Sequence, residues 1–243
     1  MNKIDVIIPT IMCTDIHVFG YTLSQLYNAP EVNSVMVIDN TEDQEFTSKM
    51  GILAEPKVFP KLRKINGFKH GFLVNDAWNY GIDHCQCPLA PYYCLLNDDI
   101  IIKSETIADF RRIMDIHADI SLLTITTLNN VALTDYIDAY FPKEGKLTDI
   151  IPNGRQGWLM VGRKHQYVPI PDTLKLFYGD DWIYMNARER GRATMLTYPY
   201  VSHFQSSSVN SNIGKLKPII DSDEKAWHSI YKKKMNEQYG KGL

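Results

Sequence analysis

The sequence predicts a single α/β domain with a mainly parallel sheet flanked by helices, and three observations support this. Short runs of β-branched and apolar residues, such as residues 5–10 and 34–38, are typical of strands buried on both faces. A segment with helical spacing of its apolar residues, Phe19, Leu23 and Leu26, lies between these two runs. A length of 243 residues also suits one generous domain.

The same alternation continues along the chain. Further strands are predicted at residues 57–59, 63–65, 91–96, 122–126 and 158–161, with an extended segment at 197–203. Further helices are predicted at residues 72–82, at 104–117 and through Trp182 to Arg188. Strands that alternate with helices indicate βαβ units, in which ligands bind beyond the carboxyl ends of the strands.

The composition excludes several classes of protein. Hydrophobic residues make up 44% of the chain and charged residues 22%, close to the globular norm, and the formal net charge is only −2. This charge gives no overall attraction to nucleic acid or anionic membranes. No apolar run is long enough to cross a bilayer and no signal peptide is recognisable, so we expect a cytoplasmic protein. The four cysteines lack the spacing of a zinc site and are interpreted as packed thiols.

Polar residues, rather than glycine-rich loops, follow the predicted strands. They are Pro9-Thr10, Asp39-Asn40, Asn66-Gly67 and Asn97-Asp98-Asp99. Because no glycine-rich phosphate loop occurs, the charge of any bound phosphate must be neutralised in another way. The carboxylates of Asp98 and Asp99 are suitable ligands for Mg²⁺ or Mn²⁺, which would bridge a diphosphate. The alternative is that this acidic pair is only a solvated approach to the next helix.

An ordered set of motifs extends this pattern over most of the chain. It comprises residues 6–10 (VIIPT), 37–40 (VIDN), 75–81 (NDAWNYG), 97–99 (NDD), 157–163 (GWLMVGR) and 178–182 (YGDDW). In order and content these motifs resemble those of the GT-A nucleotide-sugar glycosyltransferases, in particular glycosyltransferase family 2. The resemblance implies the GT-A (Rossmann-like) fold and transfer of a sugar from a nucleoside-diphosphate sugar, UDP- or GDP-linked, to a hydroxyl acceptor.

The resemblance also implies roles for individual residues. Thr10 and Asp39 would contact the nucleotide base and ribose, Asp99 would bind Mn²⁺ or Mg²⁺, and His203 would complete the metal coordination. The other residues implied on the donor side are Pro9, Asn66, Asn75, Asn97 and Asp98. Asn97 departs from the family pattern, because it stands where the acidic motif usually has its first carboxylate. A lone histidine such as His203 is otherwise interpreted as a packed or surface residue.

The second acidic pair, Asp180-Asp181, has a chemical interpretation and a structural one. Direct attack of an acceptor hydroxyl on the anomeric carbon requires a carboxylate to take the proton, and a single displacement inverts the configuration. Either aspartate could serve, and the resemblance favours Asp181 as base with Asp180 orienting the acceptor or the loop. The structural alternative is that the pair stabilises the start of the following helix.

Aromatic and basic residues suggest where the acceptor binds. Trp158, Tyr178 and Trp182 are candidates for an acceptor platform, and core packing is the equal alternative. The C-terminal lysines, including residues 232–234, are usually a solvated helix face, but they could instead guide a polyanion. The predicted acceptor is therefore a glycan or a hydroxylated base in DNA, the latter presented single-stranded or flipped out.

These predictions divide the single domain, residues 1–243, into three parts. Residues 1–126 form the donor half, 127–214 the acceptor half, and 215–243 a basic helical tail. Two other functions remain open from the sequence. One is a nucleotidyltransferase that binds its metal ion through the same residues, Asp98 and Asp99. The other is a non-catalytic module that binds sugar or nucleic acid.

Overall fold

The computed structural model describes residues 2–10, 16–41, 60–85, 87–126, 146–149, 157–197, 201–203, 207–233 and 237. The strands are β1 Ile4–Thr10, β2 Val32–Asp39, β3 Leu62–Asn66, β4 Tyr92–Leu96, β5 Ile100–Ile101, β6 Ile120–Thr126, β7 Lys146–Asp149, β8 Leu159–Arg163, β9 Arg192–Thr197 and β10 Ser202–His203. The helices are α1 Ile16–Asn28, α2 Gly67–His70, α3 Val74–His84, α4 Ser104–Ile116, α5 Gly179–Arg190 and α6 Ser207–Ala226, which continues as the π-helical turn Trp227–Tyr231.

Eight of these strands form one mixed sheet in the order β3-β2-β1-β4-β8-β6-β9-β7. Four of its seven neighbouring pairs are parallel, which confirms the predicted mainly parallel α/β sheet. The chain leaves β1 toward β2 on one side and returns to β4 on the other. This reversal of strand order opens a crevice at the carboxyl ends of β1 and β4, where open α/β sheets bind their ligands.

Helices cover both faces of the sheet and produce two hydrophobic cores. Val6 and Ile8 of β1 point to the face where Phe19 of α1 and Phe110 of α4 pack. Ile7 points to the opposite face, which α3 and α5 cover. Successive residues of a strand point to opposite faces, so a strand between two helical layers is apolar over most of its length. This explains why β1 was recognisable from its sequence.

The structure departs from the sequence predictions mainly toward the C-terminus. The extended segment predicted at 197–203 corresponds to the end of β9 and to β10, so the strand Arg192–Thr197 begins earlier than predicted. Helix α6 begins at Ser207, four residues after the end of β10. The strand predicted at 57–59 lies outside the described residues. Cys85 and Cys94 are buried thiols, as predicted.

A buried charge network at the amino ends of the strands ties three parts of the chain together. Asp5, fully buried in β1, accepts hydrogen bonds from Ser34 at 2.6 Å and from Asn33 at 2.7 Å. Its other oxygen pairs with the ammonium of Lys164, which also donates to the carbonyl of Cys85. This ion pair joins β1 and β2 to the turn that follows β8. It lies at the opposite end of β1 from the ligand crevice.

We expect Asp5→Ala to reduce the free energy of unfolding by about 3–5 kcal/mol, because it leaves the Lys164 ammonium buried without its carboxylate. Denaturant unfolding followed by circular dichroism measures the change. Arg112→Ala, which removes the exposed pair with Asp109, is the matched control, with an expected loss below about 1 kcal/mol. Equal losses in the two variants would show that the Asp5 network contributes no more than a surface ion pair.

Candidate active site

The first acidic motif forms a buried turn between β4 and β5. The N–H of Asn97 donates to the carbonyl of Trp158 at 3.0 Å, which fixes the turn against the chain entering β8. Asp98 and Asp99 follow, and their side chains are only 6% and 4% exposed. Buried carboxylates are costly unless hydrogen bonds or a positive charge stabilise them. The turn therefore holds two carboxylates at the crevice that the strand order creates.

Thr10 links the ends of the two strands on either side of the crevice. Its hydroxyl donates to Asp98 Oδ2 at 2.5 Å, and its carbonyl accepts from the N–H of Asn40 at 2.8 Å. A short hydrogen bond from a hydroxyl to a carboxylate is a strong one. Thr10 therefore fixes Asp98 in place, and its backbone positions the first residue after β2.

Asp39, implied by the resemblance as a nucleotide contact, is almost fully buried at the end of β2. Its Oδ1 accepts from the N–H of Thr41 at 3.0 Å, and its Oδ2 pairs with Lys64 Nζ at 3.3 Å. The next residue, Asn40, lines the cavity described below, whereas Asp39 does not. Asn66 also lies outside that lining, because its side chain caps α2 by accepting from the N–H of Lys69 at 3.0 Å.

The second acidic motif opens helix α5. Tyr178, immediately before it, has a left-handed backbone with φ 61°, a conformation that non-glycine residues adopt at an energetic cost. Asp180 Oδ1 accepts the N–H of Asp181 at 3.0 Å, and Asp181 is 8% exposed. Both aspartates lie in the first turn, where a helix favours negative charge, and this supports the structural interpretation of the pair.

Both acidic motifs face one cavity of about 500 Å³. Its wall carries the polar side chains of Thr10, Asn40, Asn97, Asp98, Asp99, Asp180 and Asp181. Its larger apolar and aromatic side chains include Leu73, Trp78, Trp158, Leu176, Phe177, Tyr178 and Leu216. None of the described residues that line the cavity is lysine, arginine or histidine. The cavity therefore has a strongly negative side and an apolar side, and an anionic ligand would need a cation to bind there.

Glycine residues let the backbone approach the cavity closely. A Cβ atom at position 157 would overlap the carboxylate of Asp180, and one at position 179 would overlap the side-chain oxygen of Asn75. Gly157, which precedes β8, lets the backbone approach Asp180, and Gly179, which opens α5, lets it approach Asn75. This close approach explains two glycines of the motifs that the sequence analysis used.

The structure brings some of the predicted aromatic residues to the cavity and not others. Trp158 and Tyr178 line it, but Trp182 does not. The indole N–H of Trp182 donates to the carbonyl of Pro169 at 3.0 Å. Its ring packs edge-on against that of Tyr231, with 5.1 Å between the ring centroids. Trp182 therefore has the packing role that the sequence left open as its alternative.

Asn75, predicted on the donor side, is fully buried behind the cavity wall. Its amide donates to the carbonyls of Leu174 at 3.1 Å and Phe177 at 3.2 Å. These contacts hold the segment of residues 174–177, which leads into Tyr178 and the second acidic motif. Among the cavity residues that the sequence analysis did not place at the site are Leu73, Trp78, Phe177 and Leu216. Of these, Trp78 lies within a recognised motif and Leu216 at the predicted tail.

His203, predicted as a metal ligand, is described through its backbone alone. Strands β10 and β5 pair antiparallel, with His203 opposite Ile100. Ile100 is the residue directly after Asp99. The pairing therefore brings the backbone of residue 203 beside the first acidic motif, although about a hundred residues separate them in the chain.

The side-chain oxygen atoms of the first acidic motif fit a magnesium or manganese ion in part. Asp98 and Asp99 offer the hard carboxylate oxygens that these ions prefer. Among the residues that the structure describes, no group of three or more possible ligands is assembled. Mg²⁺ is commonly held by one or two carboxylates with the phosphates of its substrate, so an incomplete protein shell is compatible with such an ion.

Comparison with known proteins places the fold. No protein-family profile and no curated protein sequence matches the chain. Among solved structures, S. aureus TarS 1–349 superposes with a TM-score of 0.58 at 17% identity, covering 99% of this chain and 76% of that one. Its complex with UDP-GlcNAc gives a TM-score of 0.51 at 18% identity, over 81% of this chain and 57% of that one. GalNAc-T7 with UDP, GalNAc and Mn²⁺ superposes with a TM-score of 0.58 at 9% identity, covering 83% of this chain and 43% of that one.

The chain has the GT-A fold. The predicted fold class is thus confirmed, and at these identities the similarity concerns the fold alone. No helix within the described ranges combines the length and the apolarity needed to cross a bilayer. The function must be argued from the cavity of this GT-A fold and its side chains.

Proposed function

We propose that the protein is an inverting, metal-dependent glycosyltransferase that moves a sugar from a nucleoside-diphosphate sugar to a hydroxyl acceptor. One observation carries this proposal. Two acidic motifs from distant parts of the chain, 97–99 and 180–181, line the same cavity. Metal-dependent transfer needs carboxylates that can hold the ion beside the diphosphate and another carboxylate near the attacking hydroxyl. A single cavity with two acidic motifs offers both.

The proposed donor is a UDP-sugar, with a GDP-sugar as the alternative. Support comes from the structural neighbours, which hold UDP or UDP-GlcNAc on the same fold. Pro9, Thr10 and Asn97 would form the donor side near the crevice, with Asp39 and Asn66 behind it. Asp99 and His203 would hold Mn²⁺ or Mg²⁺, and Mn²⁺ accompanies UDP in the GalNAc-T7 complex. The bound ion would neutralise negative charge on the diphosphate.

The reaction then follows from the second acidic motif. Asp181 takes the proton of the acceptor hydroxyl while the hydroxyl oxygen forms a bond to the anomeric carbon. The bond from that carbon to the diphosphate oxygen breaks on the opposite side, and the nucleoside diphosphate leaves. This single displacement inverts the anomeric configuration. Asp180, whose carboxylate accepts the N–H of Asp181, orients the start of the helix.

Tyr178 contributes a neutral hydroxyl to the acceptor side. Burial raises the pKa of its phenol, and the negative charges of Glu224, Asp181, Asp223 and Asp180 raise it further. The phenol therefore keeps its proton at neutral pH and can donate a hydrogen bond. With Trp158 it forms the proposed acceptor wall, a flat surface with a polar edge that suits a sugar ring or a base.

The acceptor is proposed as a glycan or a hydroxylated DNA base. The lysines Lys215 and Lys217 stand on either side of Leu216, which lines the cavity, and this favours a polyanionic acceptor. Lys217, however, forms an ion pair with Asp221, which offsets its charge. Glycosylation of hydroxymethylated single-stranded DNA, but not of oligosaccharides, would favour the nucleic-acid acceptor. The opposite result would favour the glycan.

The two other functions receive less support from the cavity. A nucleotidyltransferase must neutralise a triphosphate, and the described cavity wall carries no basic side chain for this. A non-catalytic binding module would not need the second acidic motif at the cavity. Binding of nucleotide without turnover of any offered acceptor would support the binding module instead of the transferase.

The proposal is tested directly by measuring whether nucleotide binding depends on a metal ion. Thermal unfolding is followed with UDP, GDP and their sugars, each in the presence of Mn²⁺ or of EDTA. We expect the midpoint to rise with one nucleotide class only when Mn²⁺ is present, because a ligand at about a hundred times its Kd adds about 2.7 kcal/mol of stability. Release of nucleoside diphosphate from the sugar donor then measures turnover. If neither Mn²⁺ nor the nucleotide changes the midpoint, the proposed function is wrong.

A further inference from the structure

The segment of residues 174–177 is held from two sides by side chains that lie outside the cavity. From helix α3, Asn75 donates to the carbonyls of Leu174 and Phe177. The backbone N–H of Asn75 also donates to the carbonyl of Lys175 at 3.1 Å. These bonds satisfy carbonyl groups of the segment that the wall of the cavity would otherwise bury.

From the C-terminal helix α6, a single carboxylate satisfies the amide groups of the same segment. Asp223 Oδ1 accepts from the N–H of Lys175 at 3.0 Å, and Oδ2 accepts from the N–H groups of Leu176 at 2.7 Å and Phe177 at 2.9 Å. Asp223 is 1% exposed. A buried carboxylate with three amide donors is strongly stabilised in one position, and the charge strengthens each bond.

The same helix also restrains the next residue. Four residues after Asp223, the ring of Trp227 stacks on that of Tyr178 with centroids 5.2 Å apart and an angle of 7° between the planes. Tyr178 has the left-handed backbone described above, which persists only where its surroundings enforce it. Asp223 and Trp227 therefore enforce the conformation of the segment immediately before Asp180 and Asp181.

We infer that Asp223 is a positioning residue for the proposed base: through the amides of residues 175–177 it sets where Asp181 faces the cavity. This inference rests on the proposed glycosyl transfer. Asp223 does not line the cavity, so it acts through the backbone. Its loss displaces the carboxylate that takes the proton and leaves the first acidic motif, on the other side of the cavity, unchanged. The C-terminal helix is thus part of the catalytic apparatus, rather than an accessory tail.

The test compares two variants that lose buried hydrogen bonds at opposite ends of the molecule. Asp223→Ala should lower kcat for turnover of the sugar donor by about a hundredfold, the loss that a displacement of about 1 Å can cause. The Kd for UDP with Mn²⁺ should stay within about twofold of the wild type, since the first acidic motif is untouched. Asp5→Ala, which is destabilised through a network far from the cavity, should keep its kcat at temperatures where it is folded.

Two further measurements separate positioning from a purely structural role. Asp223→Asn keeps one acceptor oxygen and should have a kcat between those of the wild type and Asp223→Ala. Hydrogen exchange at the amides of residues 175–177 should be faster in Asp223→Ala than in Asp221→Ala, a change on the exposed face of the same helix. Loss of kcat no greater than in Asp5→Ala, or a parallel loss of UDP affinity, would overturn the inference.

The outcomes also separate this inference from the proposed function. If the wild-type protein neither binds nor turns over any nucleotide sugar, the proposed function fails, and the catalytic role of Asp223 fails with it. If the wild type is active and Asp223→Ala retains its kcat, only the positioning role fails. The exchange rates of residues 175–177 are measured without a substrate, so they show in either case whether Asp223 holds the segment.

Discussion

Asp181→Asn is expected to lower the rate of sugar transfer by about two to four orders of magnitude, the contribution of a general base. The amide has nearly the same shape as the carboxylate but cannot take the proton of the acceptor hydroxyl. Because the proposed role of Asp181 is at the acceptor, the affinity for UDP with Mn²⁺ should remain within about twofold of the wild type. Turnover is measured by release of nucleoside diphosphate, and affinity by calorimetry.

Two control variants sharpen this experiment. Asp180→Asn tests the neighbouring carboxylate, and a larger loss there than in Asp181→Asn would transfer the role of base to Asp180. Asp172→Asn changes an exposed carboxylate that does not line the cavity and should leave the rate unchanged. A rate for Asp181→Asn equal to that of the wild type would show that Asp181 is not the base.

Asp99→Ala is expected to weaken Mn²⁺-dependent binding of UDP by at least about a hundredfold. Residues that only support metal ligands cost about 10- to 100-fold in affinity when mutated, so a direct ligand should cost more. Calorimetric titration of UDP with Mn²⁺ and with EDTA measures the effect. Asp119→Ala, which removes a carboxylate 63% exposed at the protein surface, should bind UDP as the wild type does.

The unfolding temperature of Asp99→Ala, compared with that of the wild type, is a second test of the role of Asp99. In EDTA, Asp99→Ala should unfold at the same temperature as the wild type or higher, because it removes one of two adjacent buried carboxylates whose charges repel. With Mn²⁺ and UDP the order should reverse, since only the wild type gains from binding. A variant that is less stable in both conditions would indicate that Asp99 has a structural role instead.

The parts of the fold that were predictable are those whose surroundings demand a simple pattern. Strands β1, β2 and β4 are covered on both faces, so each contains an apolar run that is recognisable in the sequence. Strand β7 could not be recognised this way. Among the described strands it lies at the edge of the sheet, beside β9, and its sequence Lys-Leu-Thr-Asp carries no apolar run. Such strands form because the unpaired backbone groups of a neighbouring strand are available for hydrogen bonding. The local sequence does not reveal that neighbour.

The candidate site divides in a similar way. Residues that directly follow strands, such as Asn97, Asp98 and Asp99, were predictable because the geometry of parallel sheets brings strand ends together. The positions of Asn75 and Asp223 were not, since their partners are separated from them by about a hundred and about fifty residues. Leu216 was missed for the same reason, because only the docking of helix α6 brings it to the cavity.

Strand β8 runs antiparallel between β4 and β6, so it completes the middle of the sheet from late in the chain. During synthesis, the ribosome releases residues 1–126 before this strand exists. Until β8 arrives, the apolar strand β4 is an open edge, which is the kind of surface that recruits other chains. Nascent or truncated chains that end before residue 159 are therefore expected to aggregate or to be held by chaperones. Residues 1–126 should therefore not be obtainable as a separate soluble fragment.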